Sequence, residues 1–165
     1  LVGCTDSSVL VKVKGRGSFQ NSSGLKEFGK QMIQRGYRSF VIDLGQCELM
    51  DSTFMGTLAG LALRLREMGH GKLSVVNASE RNWDLLSNLG LDRLMEVADP
   101  GAAPAASDEN LAPAEGESSS QAHKENVLTA HQALVEADPQ NAVRFKDVLD
   151  YLTQELKQEN RAEEI

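Results

Sequence analysis

Apolar residues in the first hundred positions recur in short blocks whose period switches between two and about three and a half. "SVLVKVKG" (8–15) sets Val9, Val11 and Val13 at alternate positions, which predicts a half-buried strand. "GRGSFQNSSG" (15–24) reads as turn. Ser22 or Ser23 is placed to cap a helix that carries Leu25, Phe28 and Met32 and stops at Gly36. "SFVIDL" (39–44) is nearly all apolar, as a strand covered on both faces would be. Phe54, Leu58, Leu61, Leu65 and Met68 then mark one face of a helix ending near Gly69. "KLSVVN" (72–77) predicts a short buried strand. "SERNWDLLSNLG" (79–90) predicts a helix capped by Ser79, striped by Trp83, Leu86 and Leu89, and stopped by Gly90. "RLMEV" (93–97) predicts a last strand. Strands alternating with helices imply parallel pairing through right-handed crossovers, hence a layered α/β sheet.

The pattern changes after Val97. "DPGAAPAASDENLAPAEGESSS" (99–120) holds three prolines and no Lys, Arg or aromatic residue, and reads as a flexible acidic linker. If flexible, it would span on the order of 26 Å. Two amphipathic helices follow within 121–165. The first carries Val127, His131 and Leu134, with Leu128 and Val135 beside them. "DPQN" (138–141) joins them, with Asp138 as cap and Pro139 at the first helical position. The second carries Val143, Phe145, Val148, Leu149, Leu152 and Leu156, and sets Lys146 one turn from Asp150. Such a hairpin needs a surface for its apolar stripes: the α/β body, a second copy or a partner. An autoinhibitory and a dimerising role both fit.

Charge follows the same division. Residues 1–98 hold 12 Lys/Arg against 10 Asp/Glu, and residues 99–165 hold 5 against 14. A near-neutral body with an acidic extension has nothing to neutralise a row of phosphates, which argues against nucleic-acid binding. Cys4 and Cys47 are the two cysteines of the 165 residues, too few for a stapled secreted framework, so reduced thiols in a cytoplasm are expected. "LVGC" at the start resembles the end of a lipoprotein signal, yet no apolar stretch precedes it; a strand end is the simpler reading. No run approaches the roughly 18 apolar residues of a membrane span.

Enzyme signatures are missing. His70, His123 and His131 have no Cys or second His at ligand spacing, so no metal is expected. Gly15 and Gly17 belong to neither a complete phosphate-binding loop nor a dinucleotide fingerprint, and no cofactor is expected. Ser52 lacks the flanking glycines of a nucleophile elbow.

What remains is "LMDSTFMG" (49–56), where Asp51, Ser52 and Thr53 separate two apolar pairs. Each of the three can cap the free amides of a first helical turn. The alternative is a hydroxyl displayed for modification. Gly56, Ala59 and Gly60 give the first two turns little side-chain cover, which predicts an accessible helix start. A phosphate on Ser52 would meet the positive end of the helix dipole and act outward, on whatever docks there. That reading requires the Ser52 hydroxyl to face solvent at a coil-to-helix junction.

The stretch from "FVIDLGQCELMDSTFMG" to "NLGLDRLMEV" resembles the STAS domain of bacterial anti-sigma factor antagonists, over about residues 2–98. Its strongest elements are Asp51-Ser52-Thr53 with Gly56, supported by Gly90-Leu91. The resemblance implies a STAS-like sheet of four to five mainly parallel strands with helices, plus the C-terminal helical hairpin as an addition. It implies a non-catalytic cytoplasmic regulator whose Ser52 is phosphorylated by an anti-sigma kinase and restored by a serine phosphatase. The dephosphorylated form would then capture the anti-sigma factor and free a sigma factor. Thr53 and Thr57 are weaker acceptor candidates. Asp51, Ser52, Thr53, Phe54, Met55, Gly56 and Ser18 form the expected partner surface. Phe54 replaces the Gly found in well-known members, either as an exposed anchor or as the first core residue. Ser18 stands where members often have an Asp, so nucleotide-related roles are not carried over. A STAS-type subunit of a membrane transporter, such as a lipid-transport ATPase, is the alternative.

Overall fold

The valines of the first alternating block do line a core, but so does one residue between them. In the computed structural model, which describes residues 1–5, 7–98, 109, 111–114 and 119–164, β2 (Val9–Gly17) buries Val9, Val11 and Val13 on one face and Leu10 on the other. It lies between β1 (Val2–Cys4), antiparallel to it, and β3 (Ser39–Met50), parallel to it. Parallel β4 (Lys72–Val76) and β5 (Glu96–Val97) complete a five-stranded sheet in the order β1-β2-β3-β4-β5. The mainly parallel STAS-like sheet with a C-terminal helical hairpin is thus the architecture observed.

The helices are α1 (Phe19–Gln34), α2 (Ser52–Glu67) and α3 (Glu80–Asn88), followed by a 3₁₀ turn at Leu91–Arg93. They bury Leu25, Ile33, Leu58, Leu65, Leu86 and Leu91 against Val9, Phe40, Ile42, Leu73 and Val75 in one cluster. On the opposite sheet face, Leu10, Val41 and Val76 form a smaller buried cluster among the described residues, with Ala98 and Leu111 packed against it.

Several boundaries differ from the sequence expectation; the strand expected over 39–44 runs on to Met50, and the helix expected from Pro139 begins at Asn141. The "GRGSFQNSSG" turn is instead the end of a strand and the start of a helix. Gly15, at φ +72°, absorbs an irregularity in the β2–β3 register, so pairing continues to Gly17 opposite Met50. Ser18 precedes α1, and Ser22, expected as a cap, lies buried inside the helix with its hydroxyl bonded back to the Ser18 carbonyl at 2.6 Å. The expected strand 93–97 is shortened to Glu96–Val97: Gly90 at φ +75° ends α3, Leu91 plugs the core, and the 3₁₀ turn it opens runs to Arg93.

The hairpin consists of α4 (Ser120–Ala137), the single turn α5 (Asn141–Arg144) and α6 (Lys146–Glu163). Its expected second stripe is broken at Phe145, which leaves Val143 84% exposed and outside any packing face. Lys146 does reach Asp150, at 2.6 Å. Of the three surfaces open to the hairpin, it takes the α/β body: Leu134 joins the main core, with Ala133, Ala137 and Phe145 packed against it. Most of 99–120 lies outside the described residues. Within it, Ala112 exchanges two backbone hydrogen bonds with Val2, at 2.7 and 2.9 Å.

Candidate functional site

Because β2 and β3 are parallel and end in register, the two helices that follow them start side by side. Asp51 fixes that arrangement. Its amide donates to the Gly17 carbonyl at 2.9 Å. One carboxylate oxygen accepts from the Phe54 amide and the other from the Phe19 amide, both at 2.8 Å. A single side chain therefore caps α2 and also the first turn of α1, with both bonds charge-assisted. The chains can approach this closely because Gly17 has no Cβ; one there would stand 2.6 Å from the Phe54 ring. Ser18, in the adjoining loop, donates its amide to the Asn21 side chain at 2.9 Å. Arg16, Ser18, Asn21 and Asp51 line a cleft at this end of the sheet.

Ser52 is the first residue of α2, at the expected coil-to-helix junction. It does not face open solvent. The residue is half-buried, and its hydroxyl lies 2.9 Å from His131 Nε2 on α4. The other ring nitrogen, Nδ1, lies 2.7 Å from the Val127 carbonyl, which can only accept. Nδ1 therefore carries the hydrogen, and in the neutral ring Nε2 accepts from the Ser52 hydroxyl. The imidazole is 2% exposed and meets the Phe145 ring edge-on at 4.9 Å. A serine held by an oriented histidine is half of a nucleophilic pair. Neither side chain is among those that line the two cavities flanking the site; the contact joins two helices.

The other expected site residues divide by depth. Thr53 and Thr57 are buried, and the Thr57 hydroxyl turns back to the Thr53 carbonyl at 3.0 Å. Phe54, at 3% exposure, and Met55 belong to the core and support the surface from beneath. Gly56 is not accessible as expected. A Cβ there would fall 2.9 Å from that of Ala130, and closer still to the Ala130 carbonyl. One turn on, a Cβ at Gly60 would stand 3.7 Å from the Ala133 Cβ. The sparse cover that suggested an open helix start is instead what lets α4 lie against α2.

That cover is uneven. At the turn it is well made: Asn141 donates to the Leu89 and Leu134 carbonyls at 3.0 and 2.8 Å, and Arg144 donates to the Asn88 carbonyl at 2.6 Å. Toward the start of α4 it is not. A cavity of about 210 Å³ opens between α1, α2 and α4, lined by Lys26, Lys30, Arg64 and Asn126 among others. Asn126 is 5% exposed, and neither atom of its amide has a hydrogen-bond partner among the described residues.

His131 is the residue that sequence reading missed. It was legible as one member of an apolar stripe, but its partner lies 79 positions away and no spacing rule links them. Near the same end of the sheet, burial pushes the Cys47 thiol above its ordinary value, with the Glu48 charge adding to the rise. Lys124, on α4, is raised by hydrogen bonds to Glu159 and Glu155 of α6. Among the described residues, no three His, Cys, Asp or Glu side chains gather as a metal site.

A mixed five-stranded sheet, helices packed on one face and a helix opened by Asp-Ser-Thr beyond the parallel strand ends define a STAS-type module. A family model described as "Mlab, STAS domain" matches residues 2–96, and the chain belongs to that family. Among solved structures, a candidate anti-sigma factor antagonist of Thermotoga maritima is 20% identical. That match covers 59% of this chain and 83% of its own, with a TM-score of 0.54. The Bacillus cell fate determinant SpoIIAA in its phosphorylated form is 17% identical, covering 61% and 92%, with a TM-score of 0.51. At these identities the two show a shared fold. A comparison with curated protein sequences found no match. The matched family segment ends before the hairpin.

Proposed function

We propose that this chain is a phosphorylation-gated anti-sigma factor antagonist. In its dephosphorylated form it binds an anti-sigma kinase and so releases a sigma factor; a serine phosphatase restores that form. The carrying observation is the position of Ser52: first residue of α2, beside the Asp51 carboxylate that caps the helix, and the least buried of the three candidate hydroxyls. A phosphate there meets first-turn amides that have no helical acceptor, so it changes the surface with little cost to the sheet below. Similarity in fold to phosphorylated SpoIIAA supports the reading. On this reading the protein acts by binding, in the cytoplasm, where an anti-sigma kinase and a sigma factor meet.

Incubation with the host's serine kinases, read by mass spectrometry, tests the assignment. Label is expected on Ser52 and lost in Ser52→Ala; wild-type labelling of that variant removes Ser52 from the role. Ser52→Asp is expected to weaken the kinase complex by about 1–3 kcal/mol, the scale of an added interfacial charge.

One observation favours a second reading. The Ser52 hydroxyl is already engaged by His131, as in a face built for permanent packing. A STAS-type subunit bound constitutively to a membrane transporter would fit that. Co-purification with a membrane complex supports it, and a soluble kinase in the same pull-down opposes it.

A further inference from the structure

The surface around Ser52 is already occupied, and its occupant shows what kind of partner it takes. Along α2, Ser52, Gly56 and Gly60 stand one turn apart, and α4 answers them with His131, Ala130 and Ala133. Glycine facing alanine lets two helix backbones approach with no side chain between them. Beside them, a hydroxyl meets an imidazole whose other nitrogen is spent on its own helix. The recognised object is therefore a helix with small residues three apart and a hydrogen-bond acceptor next to the first of them, as in Ala130-His131-x-Ala133.

We propose that the Ser52–Gly60 face of α2 is a helix-receiving groove, closed in cis by α4 and opened when a partner helix of the same chemistry displaces α4 or when Ser52 is modified. The packing is graded as such a cover requires. The end near the turn is pinned by Asn141 and Arg144, whereas the beginning of α4 leaves Asn126 unpaired beside a cavity. The start of α4 is thus held by fewer hydrogen bonds to the body, among the described residues, than its end. Release pivots on the well-bonded end. A phosphate on Ser52 replaces the hydrogen that the hydroxyl now gives to His131 Nε2, so this contact between α2 and α4 is not kept in its present form. This inference rests on the proposed reading only in taking the α2 face as the partner surface.

The test is made on the full chain with Cys4→Ser, which removes the exposed native thiol. Gly60→Cys with Ala133→Cys places two Cβ atoms about as far apart as a disulfide needs, 3.7 Å in the present geometry, and locks the groove on oxidation. Ala130→Leu puts a bulky side chain against Gly56 and opens it. The probe is a fluorescent synthetic peptide of residues 119–138. Binding at least tenfold tighter to Ala130→Leu than to wild type is expected. So is no binding to the oxidised double variant, restored by reductant. Hydrogen exchange in α4 should quicken at least tenfold in Ala130→Leu while the β2–β3 amides stay protected. Equal binding by oxidised and reduced double variant overturns the proposal, as does absence of binding to every form. If Ala130→Leu loses protection in the sheet as well, the double variant alone decides. No kinase enters the assay, so its outcome is separate from that of the labelling experiment.

Discussion

Asp51 and Ser52 are neighbours that do opposite kinds of work. Asp51 spends both carboxylate oxygens on structure, holding the amides that begin two helices. Asp51→Ala is expected to lower stability by about 2–4 kcal/mol, from two lost caps of about 1–2 kcal/mol each, measured by urea denaturation. The sequence made Asp51 legible as the cap of one helix. Its second bond, to Phe19, depends on two strands ending in register and could not be read from spacing. Thiols give a residue-level check on burial. At neutral pH, Cys4 should react with a disulfide reagent and Cys47 should wait for unfolding, since Cys4 is exposed and Cys47 buried with its thiol shifted up. The sign of that shift also fixes a pH trend. Above the ordinary thiol value of 9.0 the unfolded chain loses the Cys47 proton while the native chain keeps it, so stability falls as pH rises. Lys124 and Lys146, both raised by carboxylate partners, act in the same direction. Their contribution is complete below 10.5 and lost as pH climbs through their folded values. Thermal melts above pH 9 should therefore decline steadily.

At the scale of elements, reading succeeded where a strong period met a plain stop signal. The stripe from Phe54 to Met68 gave α2, and Ser79 with Gly90 bounded α3, whose first turn bonds the Ser79 hydroxyl at 3.1 Å. It failed where a backbone device replaced a sequence signal. Gly15 served a strand irregularity and was read as turn; Phe145 interrupted a helix with no Pro or Gly to announce it. The docking of α4 was half legible. Its apolar stripe demanded a surface, but Gly56 and Gly60 looked like exposure when they were room for another helix. Asn126→Leu follows from the mismatch in that docking. Replacing an unpaired buried amide with an apolar side chain beside a cavity should stabilise the closed form by about 1–2 kcal/mol. The readout is a raised melting temperature with slower hydrogen exchange in α4.

The whole molecule joins a near-neutral body to an acidic extension, and the two are held mostly by packing and neutral hydrogen bonds. Composition revealed the division but not that the parts fold back together, because that depends on contacts such as Asn141 with Leu89, far apart in sequence. The pairing of Ala112 with Val2 has a further consequence for how a displaced hairpin behaves. Only six residues lie between Ala112 and Ser119, and the seven steps that join them reach about 25 Å fully stretched. A freed α4 is leashed close to its seat, at an effective concentration on the millimolar scale. Any rival must outcompete a tethered copy that returns quickly, so weak or scarce helices leave the molecule silent and only a tight or abundant one engages it.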